Sequence, residues 1–200
     1  MQKIGSVHRT CRRVGAALCG RPNCPSEKRP YPPGQHGRGR KRISEYQTRL
    51  LEKQKLRAIY GIQERQMRSY YDRATRSPGV TGEEMLRQLE RRLDTICLRL
   101  GFALTTPQAR QLVSHGHVSL NGKRIDVPSA QARPGDEITL SAKARNFVFV
   151  REALEITPDP PPYLYRNKDE VSGAFTRLPE RDEIPLPVPI EERMIVEFYS

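Results

Sequence analysis

Tryptophan is absent from the 200 residues, and aromatic side chains of every kind supply only 6% of them. Hydrophobic residues stop at 36%, which argues against one large core and for several small ones helped by a metal or a partner. No apolar run approaches the roughly 20 residues that a membrane span needs. The first fifteen residues carry charge but no apolar stretch, so neither a signal segment nor a membrane role is expected. Four cysteines are too few for a disulfide scaffold, and in the reducing cytoplasm expected for this chain they read as ligands. Catalytic signatures are missing too: there is no GxSxG, no phosphate loop ending in GKS or GKT, and no HExxH.

Acidic residues are scarcest at the start. Residues 1–43 hold eleven Lys and Arg against Glu27 alone, so this segment nets +10 of a chain total of +12. Residues 44–155 net +6 and residues 156–200 net −4. A polyanionic partner is implied, engaged first by the amino-terminal segment.

That segment has little apolar periodicity and is rich in Gly, Pro and Arg, so packing cannot order it. It does hold His8, Cys11, Cys19 and Cys24, four soft ligands within seventeen residues. One structural zinc fits this set best, since zinc takes four tetrahedral N or S ligands and its binding would supply the missing folding free energy. An iron–sulfur cluster, or cysteines scattered through an unordered arm, are the competing readings. After it, KRPYPPGQHGRGRKR interleaves cations with one aromatic ring and with glycines that let backbone approach phosphate. Candidate RNA contacts here are Arg9, Arg12, Arg13, Lys28, Arg29, Tyr31, Gln35, His36, Arg38, Arg40, Lys41 and Arg42.

Ser44-Glu45-Tyr46-Gln47 reads as a capping box opening a helix to about Tyr60, on which Lys53, Lys55 and Arg57 are further candidates. A second helix carries Met67, Tyr70, Tyr71 and Ala74 on one face. Thr81-Gly82-Glu83-Glu84 reads as another capping box, opening one continuous helix to Leu100 with Cys97 on its buried side. Thr106 as N-cap, with Pro107 behind it, starts a short helix whose stripe is Ala109, Leu112 and Val113. Arg110, Gln111 and Ser114 then form an exposed basic face, joined by His115, His117, Lys123 and Arg124 around an Asn121-Gly122 hairpin. Strands are expected at 137–140 and 147–150, an extended linker at 156–162, and a last strand or docked tail in MIVEFY.

RLGFA, QARQLVSHGHVSLNG and RPGDEI resemble the RNA-binding module of the S-four family of small-subunit ribosomal proteins, and PPGQHG and REALEI extend the likeness over nearly the whole chain. The resemblance implies an α+β fold with three parts: a zinc-stapled basic arm (1–43), a small helical domain (44–90, with 178–200 returning to it), and an inserted RNA-binding module of helices and a small antiparallel sheet (91–177). It implies that the arm threads along small-subunit ribosomal RNA and that the short helix and hairpin face RNA. It further implies binding early in assembly at a multi-helix junction, beside neighbouring ribosomal proteins and near the path of messenger RNA, with an influence on decoding accuracy. Some members carry four cysteines in the arm, and His8 stands where the first of these would be. RNA-modifying enzymes and stalled-ribosome binders borrow the same module; the former need a separate catalytic domain, and the PPGQHG arm speaks against the latter.

Overall fold

The computed structural model describes residues 7–19, 23–39 and 42–200. They divide between two compact units, Met1–Gly82 with Leu186–Ser200, and Glu83–Pro185. No described helix is long and apolar enough to cross a membrane.

The first unit is helical. Helices α1 (Val7–Val14) and α2 (Pro25–Lys28) precede α3 (Glu45–Tyr60) and α4 (Glu64–Arg76). Ser44 caps α3 by accepting from the Gln47 backbone N–H, and Gly61 ends it in the left-handed conformation at φ 61°. Met67, Tyr70, Tyr71 and Ala74 are buried on α4, as their spacing predicts. The chain returns at its end as α10 (Glu192–Tyr199), packed against α3 and α4. MIVEFY is therefore helical and not a strand: Ile195 is buried one turn before Tyr199, whose hydroxyl donates to Glu64 Oε1 at 2.7 Å.

The second unit wraps helices around one antiparallel sheet. Helices α5 (Thr81–Glu90) and α6 (Leu93–Arg99) are separate, correcting the expectation of one continuous helix. The break has a cause. At Arg91 and Arg92 the backbone leaves the helix to pair with a distant segment: Ala132 N–H donates to Arg91 O, and Leu93 N–H to Ala130 O, each at 2.9 Å. These tertiary hydrogen bonds outweigh the helical periodicity, which continues on both sides. Helix α7 (Thr106–Ser114) is capped by Thr105, one residue earlier than expected, through a bond from Gln108 N–H. Strands β1 (Val118–Leu120) and β2 (Lys123–Ile125) close around Asn121 and Gly122 at φ 50° and 75°, the two positive angles of a type I′ turn. Strand β3 (Asp136–Leu140) pairs with β1.

Helices α8 (Ala142–Arg145) and α9 (Val148–Ile156) follow. The stretch 147–150 is thus not a strand, because Val150, Ala153 and Leu154 keep a helical face toward the core. Strands β4 (Leu164–Asn167) and β5 (Ser172–Phe175) complete the order β2-β1-β3-β5-β4. Leu93, Ile96, Cys97, Leu100, Phe102, Leu112, Val118, Ile138 and Phe175 form the core between helices and sheet. Buried charged groups interrupt this unit's apolar interior, among them Glu90, Arg92 and Asp94 at 0%, 1% and 0% exposed.

Candidate metal site and nucleic-acid face

Helix α1 carries His8 and Cys11 on one side, and the following chain brings Cys19 and Cys24 back to them. Their donor atoms all lie within 4.8 Å of one another. His8 Nδ1 is 3.9 Å from Cys19 Sγ and 3.8 Å from Cys24 Sγ. A zinc tetrahedron with bonds of about 2.0–2.3 Å has donor–donor edges of about 3.3–3.8 Å, so this set fits the ion with little movement. Cys11 and Cys24 are buried, and around them Leu18 and Val14 meet Ala58 and Ile59 of α3. The electrostatics also favour a cation. Burial, together with the charges of Cys19 and Cys24, pushes the Cys11 thiol up to about 12 despite the Cys19 backbone N–H. Burial raises Cys24 too, but bonds from Ser26 Oγ, the Ser26 backbone, His8 and Cys19 prevail and hold it at about 6. Ser26 Oγ, itself buried, stands 3.1 Å from Cys24 Sγ. Three thiols crowded together resist losing all three protons unless a positive ion shares the charge. Among the described residues this is the cluster of His, Cys, Asp and Glu able to hold a metal.

The cations of the arm are gathered more closely than their spacing suggests. The guanidinium groups of Arg12 and Arg38 both lie over the Tyr31 ring, 5.1 and 5.0 Å from its centroid. Arg38 Nη2 donates to the Tyr31 hydroxyl at 3.1 Å, and this bond, working against desolvation and aided by the charges of Arg38, Arg29 and Arg12, lowers the phenol's pKa. Arg9, Arg13, Lys28, Arg29, Gln35, His36, Arg38 and Arg42 are exposed. Arg40 and Lys41 lie outside the described residues.

Four expected RNA contacts are also engaged within the protein. Lys53 is buried, 2.8 Å from Glu64 Oε1 and 4.0 Å from the Phe198 ring centroid, because it clamps α10 to α3. Arg57 Nη1 reaches Glu64 Oε2 at 3.0 Å, and Lys55 pairs with Glu52 one turn back. Arg110 does not stand in solvent: its Nη2 is 2.7 Å from Asp94 Oδ2, and Arg92 grips the same carboxylate through Nε and Nη2. The remainder of the helix-and-hairpin set does come together. Gln111, Ser114, His115, Lys123 and Arg124 are exposed and His117 is half-buried. Arg124 Nη2 donates to the His115 carbonyl at 3.3 Å, crossing over Gly116. At φ +68° that position favours glycine, and a Cβ there would displace the Arg124 guanidinium.

Two family models match consecutive parts of the chain: the "Ribosomal protein S4/S9 N-terminal domain" over residues 2–90, and the "S4 domain" over residues 91–138. Small ribosomal subunit protein uS4 of Thermus thermophilus is 49% identical over 206 residues, covering 98% of both chains. The chain belongs to the uS4 family. The uS4 proteins of Rubrobacter xylanophilus and Thermodesulfovibrio yellowstonii are 48% and 46% identical over 196 and 204 residues, each covering 98% of this chain and 97% of its own. The junction between the two family models, at 90/91, coincides with the break between α5 and α6. The chain there abandons helix for the pairing of 91–94 with 128–132. The second model ends within β3, so α8, α9, β4 and β5 lie beyond it.

Sequence reasoning missed the ring cluster at the carboxyl side of α7. Phe147 and Phe149 stack with centroids 5.5 Å apart, and His117 meets Phe147 edge-on at 5.1 Å. The available signal was FVFV set between KAR and R, an aromatic pair inside a basic run.

Proposed function

We propose that the chain is a structural, non-catalytic constituent of the small ribosomal subunit that binds small-subunit ribosomal RNA. The observation carrying this is the likeness, over 98% of both chains, to a protein named as a component of that subunit. The charge distribution agrees with it: the +10 of residues 1–43 suits contact with phosphate, and bonds to phosphate position a protein without reading sequence. The proposed division of labour is drawn along the sequence and not at the edges of the compact units, 82/83 and 185/186: a basic arm at 1–43, a helical part at 44–90 joined by 178–200, and an RNA-binding module at 91–177. The direct contacts are assigned to Arg9, Arg12, Arg13, Lys28, Arg29, Tyr31, Gln35, His36, Arg38 and Arg42, with Gln111, Ser114, His115, His117, Lys123 and Arg124 in the module. Arg110 serves at the edge of that face, while Lys53, Lys55 and Arg57 serve the helical part.

Zinc is the ion assigned to His8, Cys11, Cys19 and Cys24. It would supply charge compensation and a fixed crossing point for a segment with a small core of its own. The reading extends to the protein's place in assembly: it joins the subunit early, at a junction of several RNA helices in the cytoplasmic ribosome, and membership of the family supports this. It neighbours other subunit proteins and the path of messenger RNA, and influences decoding accuracy. The test is sedimentation of the tagged protein from cells combined with crosslinking. It should travel with small subunits and crosslink to small-subunit ribosomal RNA through 28–42 and 111–124. Recovery free of subunits, with no crosslinked ribosomal RNA, would overturn the reading.

A further inference from the structure

We infer that the groove between α7 and α9 is a subsite for a single unstacked RNA base, held against the rings of Phe147 and Phe149. This rests on the RNA-binding reading above and adds to it a defined site that extends the short-helix face onto α9. The groove has a volume of about 450 Å³ and is lined by Gln111, His115, His117, Phe147, Phe149 and Glu152, with Val148 beside them. The core takes up only part of these rings: Val150 and Ala153 supply the buried face of α9, whereas Phe147 and Phe149 pack against the core yet remain half-buried, and Val148 is 71% exposed. Two phenyl rings stacked at 26° and an imidazole at 88° to one of them make a rigid apolar wall, not a loose patch.

The occupant follows from what surrounds that wall. Lys143, Arg124 and His115 are close enough to act on the His117 imidazole, and after burial their charges are the causes that lower its pKa. His117 is therefore neutral at ordinary pH, an aromatic ring with one donor and one acceptor, and Ser141 Oγ lies 3.5 Å from its Nδ1. An apolar peptide would find an oily wall but no use for the cations; a nucleotide uses both, its base on the rings and its phosphate near Lys143 or Arg124. Gln111 and Glu152, also in the lining, offer hydrogen-bonding groups to the edge of such a base. Flat aromatic walls inside a positive rim are how sequence-tolerant single-strand sites are built.

The experiment uses the full chain and small-subunit ribosomal RNA transcribed with 4-thiouridine. Wild-type protein should bind this RNA, and crosslinked peptides should include 147–149. The double variant F147L/F149L keeps apolar bulk but removes both rings, so affinity should fall about tenfold at fixed salt. The slope of affinity against salt should stay as in wild type, since every cation that meets phosphate is still in place. A melting temperature close to wild type shows that the fold survives, and the wild-type crosslink reads the site independently of any variant. Equal affinity of wild type and variant, or crosslinks only elsewhere, overturns the subsite while leaving RNA binding intact. If wild type itself fails to bind, the fault lies in the proposed function. If the variant binds naked RNA normally but fails to enter reconstituted subunits, a protein neighbour covers the groove and the inference is wrong.

Discussion

Asp94, with no exposed surface, holds the guanidinium of Arg110 at 2.7 Å from its Oδ2 while Arg92 closes on it from the other side. One carboxylate thus faces two cations, and it also accepts the Thr95 backbone N–H at 3.0 Å. Arg110 is for this reason a bracing residue of the α7 face as well as a candidate contact.

The consequence is a split between two arginine and lysine positions that look alike in sequence. Arg110→Ala should cost about 1–3 kcal/mol of stability, because Asp94 keeps Arg92 but loses a charge-assisted partner. Asp94→Ala should cost more, about 3–5 kcal/mol, since it leaves Arg92 buried and uncompensated. Lys123→Ala, exposed on the hairpin, should leave stability within about 0.5 kcal/mol and weaken RNA binding alone. Denaturant titration and RNA affinity of the three variants decide it. Equal stability of Arg110→Ala and wild type would return Arg110 to the solvent.

How much of this was legible beforehand varies by physical cause. Elements whose signal is local were readable: Ser44 as a cap, the Asn121-Gly122 turn, and the stripe of Ala109, Leu112 and Val113. Where distant chain decides, sequence misled. The break at Arg91 and Arg92 depends on pairing with 128–132, and nothing in the helical period marks it. Phe147–Val150 spans four residues, too short to separate a strand from the first turn of a helix. For the candidate site, the grouping of His8, Cys11, Cys19 and Cys24 was readable because a metal demands particular residue types at short spacing, and the structure gathers these four. Charge alone carries no such demand. Nothing in the sequence marks that Lys53 and Arg57 share Glu64 as an internal partner.

Protein purified without chelators should contain about one zinc per chain, as elemental analysis would show. Cys24→Ser should lose it and release order across α1 and α2, seen as faster amide exchange there, while exchange in α6 and the sheet stays slow. Iron in place of zinc, or neither metal in protein with α1 still protected, would reject the assignment.

Glu64 gives a pH dependence with a definite sign. Burial works to raise its pKa, but bonds from Lys53 and Tyr199 and the charges of Lys53 and Arg57 lower it below the ordinary value. A folded-state pKa that is depressed gives stability above the unfolded value, about 4.3, and that stability disappears as pH falls through the folded value. Glu64→Gln lacks this contribution. The stability gap between wild type and variant should therefore be open at pH about 6 and should narrow below about 4. Loss of zinc in acid affects both proteins alike and cancels in the difference. A gap that is constant from neutral to acid would show that Glu64 is not charged in the folded protein.

The arm's contribution to RNA binding is best tested without deleting it. Val14 and Leu18 of the arm pack with Ala58 and Ile59 of α3, so removing 1–43 would expose a small apolar face as well as removing charge. Lys28, Arg29, Arg38 and Arg42 are exposed and outside that packing. Changing these four to Gln should leave metal content and melting unchanged. Each phosphate left without its cation takes about 0.7–0.9 from the slope of log affinity against log salt, so four of them correspond to a slope flatter by about 3. At low salt the variant should bind far more weakly than wild type, and the two should converge as salt rises, because released counterions are the source of the difference. Tyr31 supplies an internal check. Arg38→Gln removes its hydrogen-bond donor, so the phenol should titrate at higher pH in the variant than in wild type, read by ultraviolet absorbance in the absence of RNA. A slope unchanged by all four substitutions would mean that these cations meet only water, and the contacts would then have to come from the module.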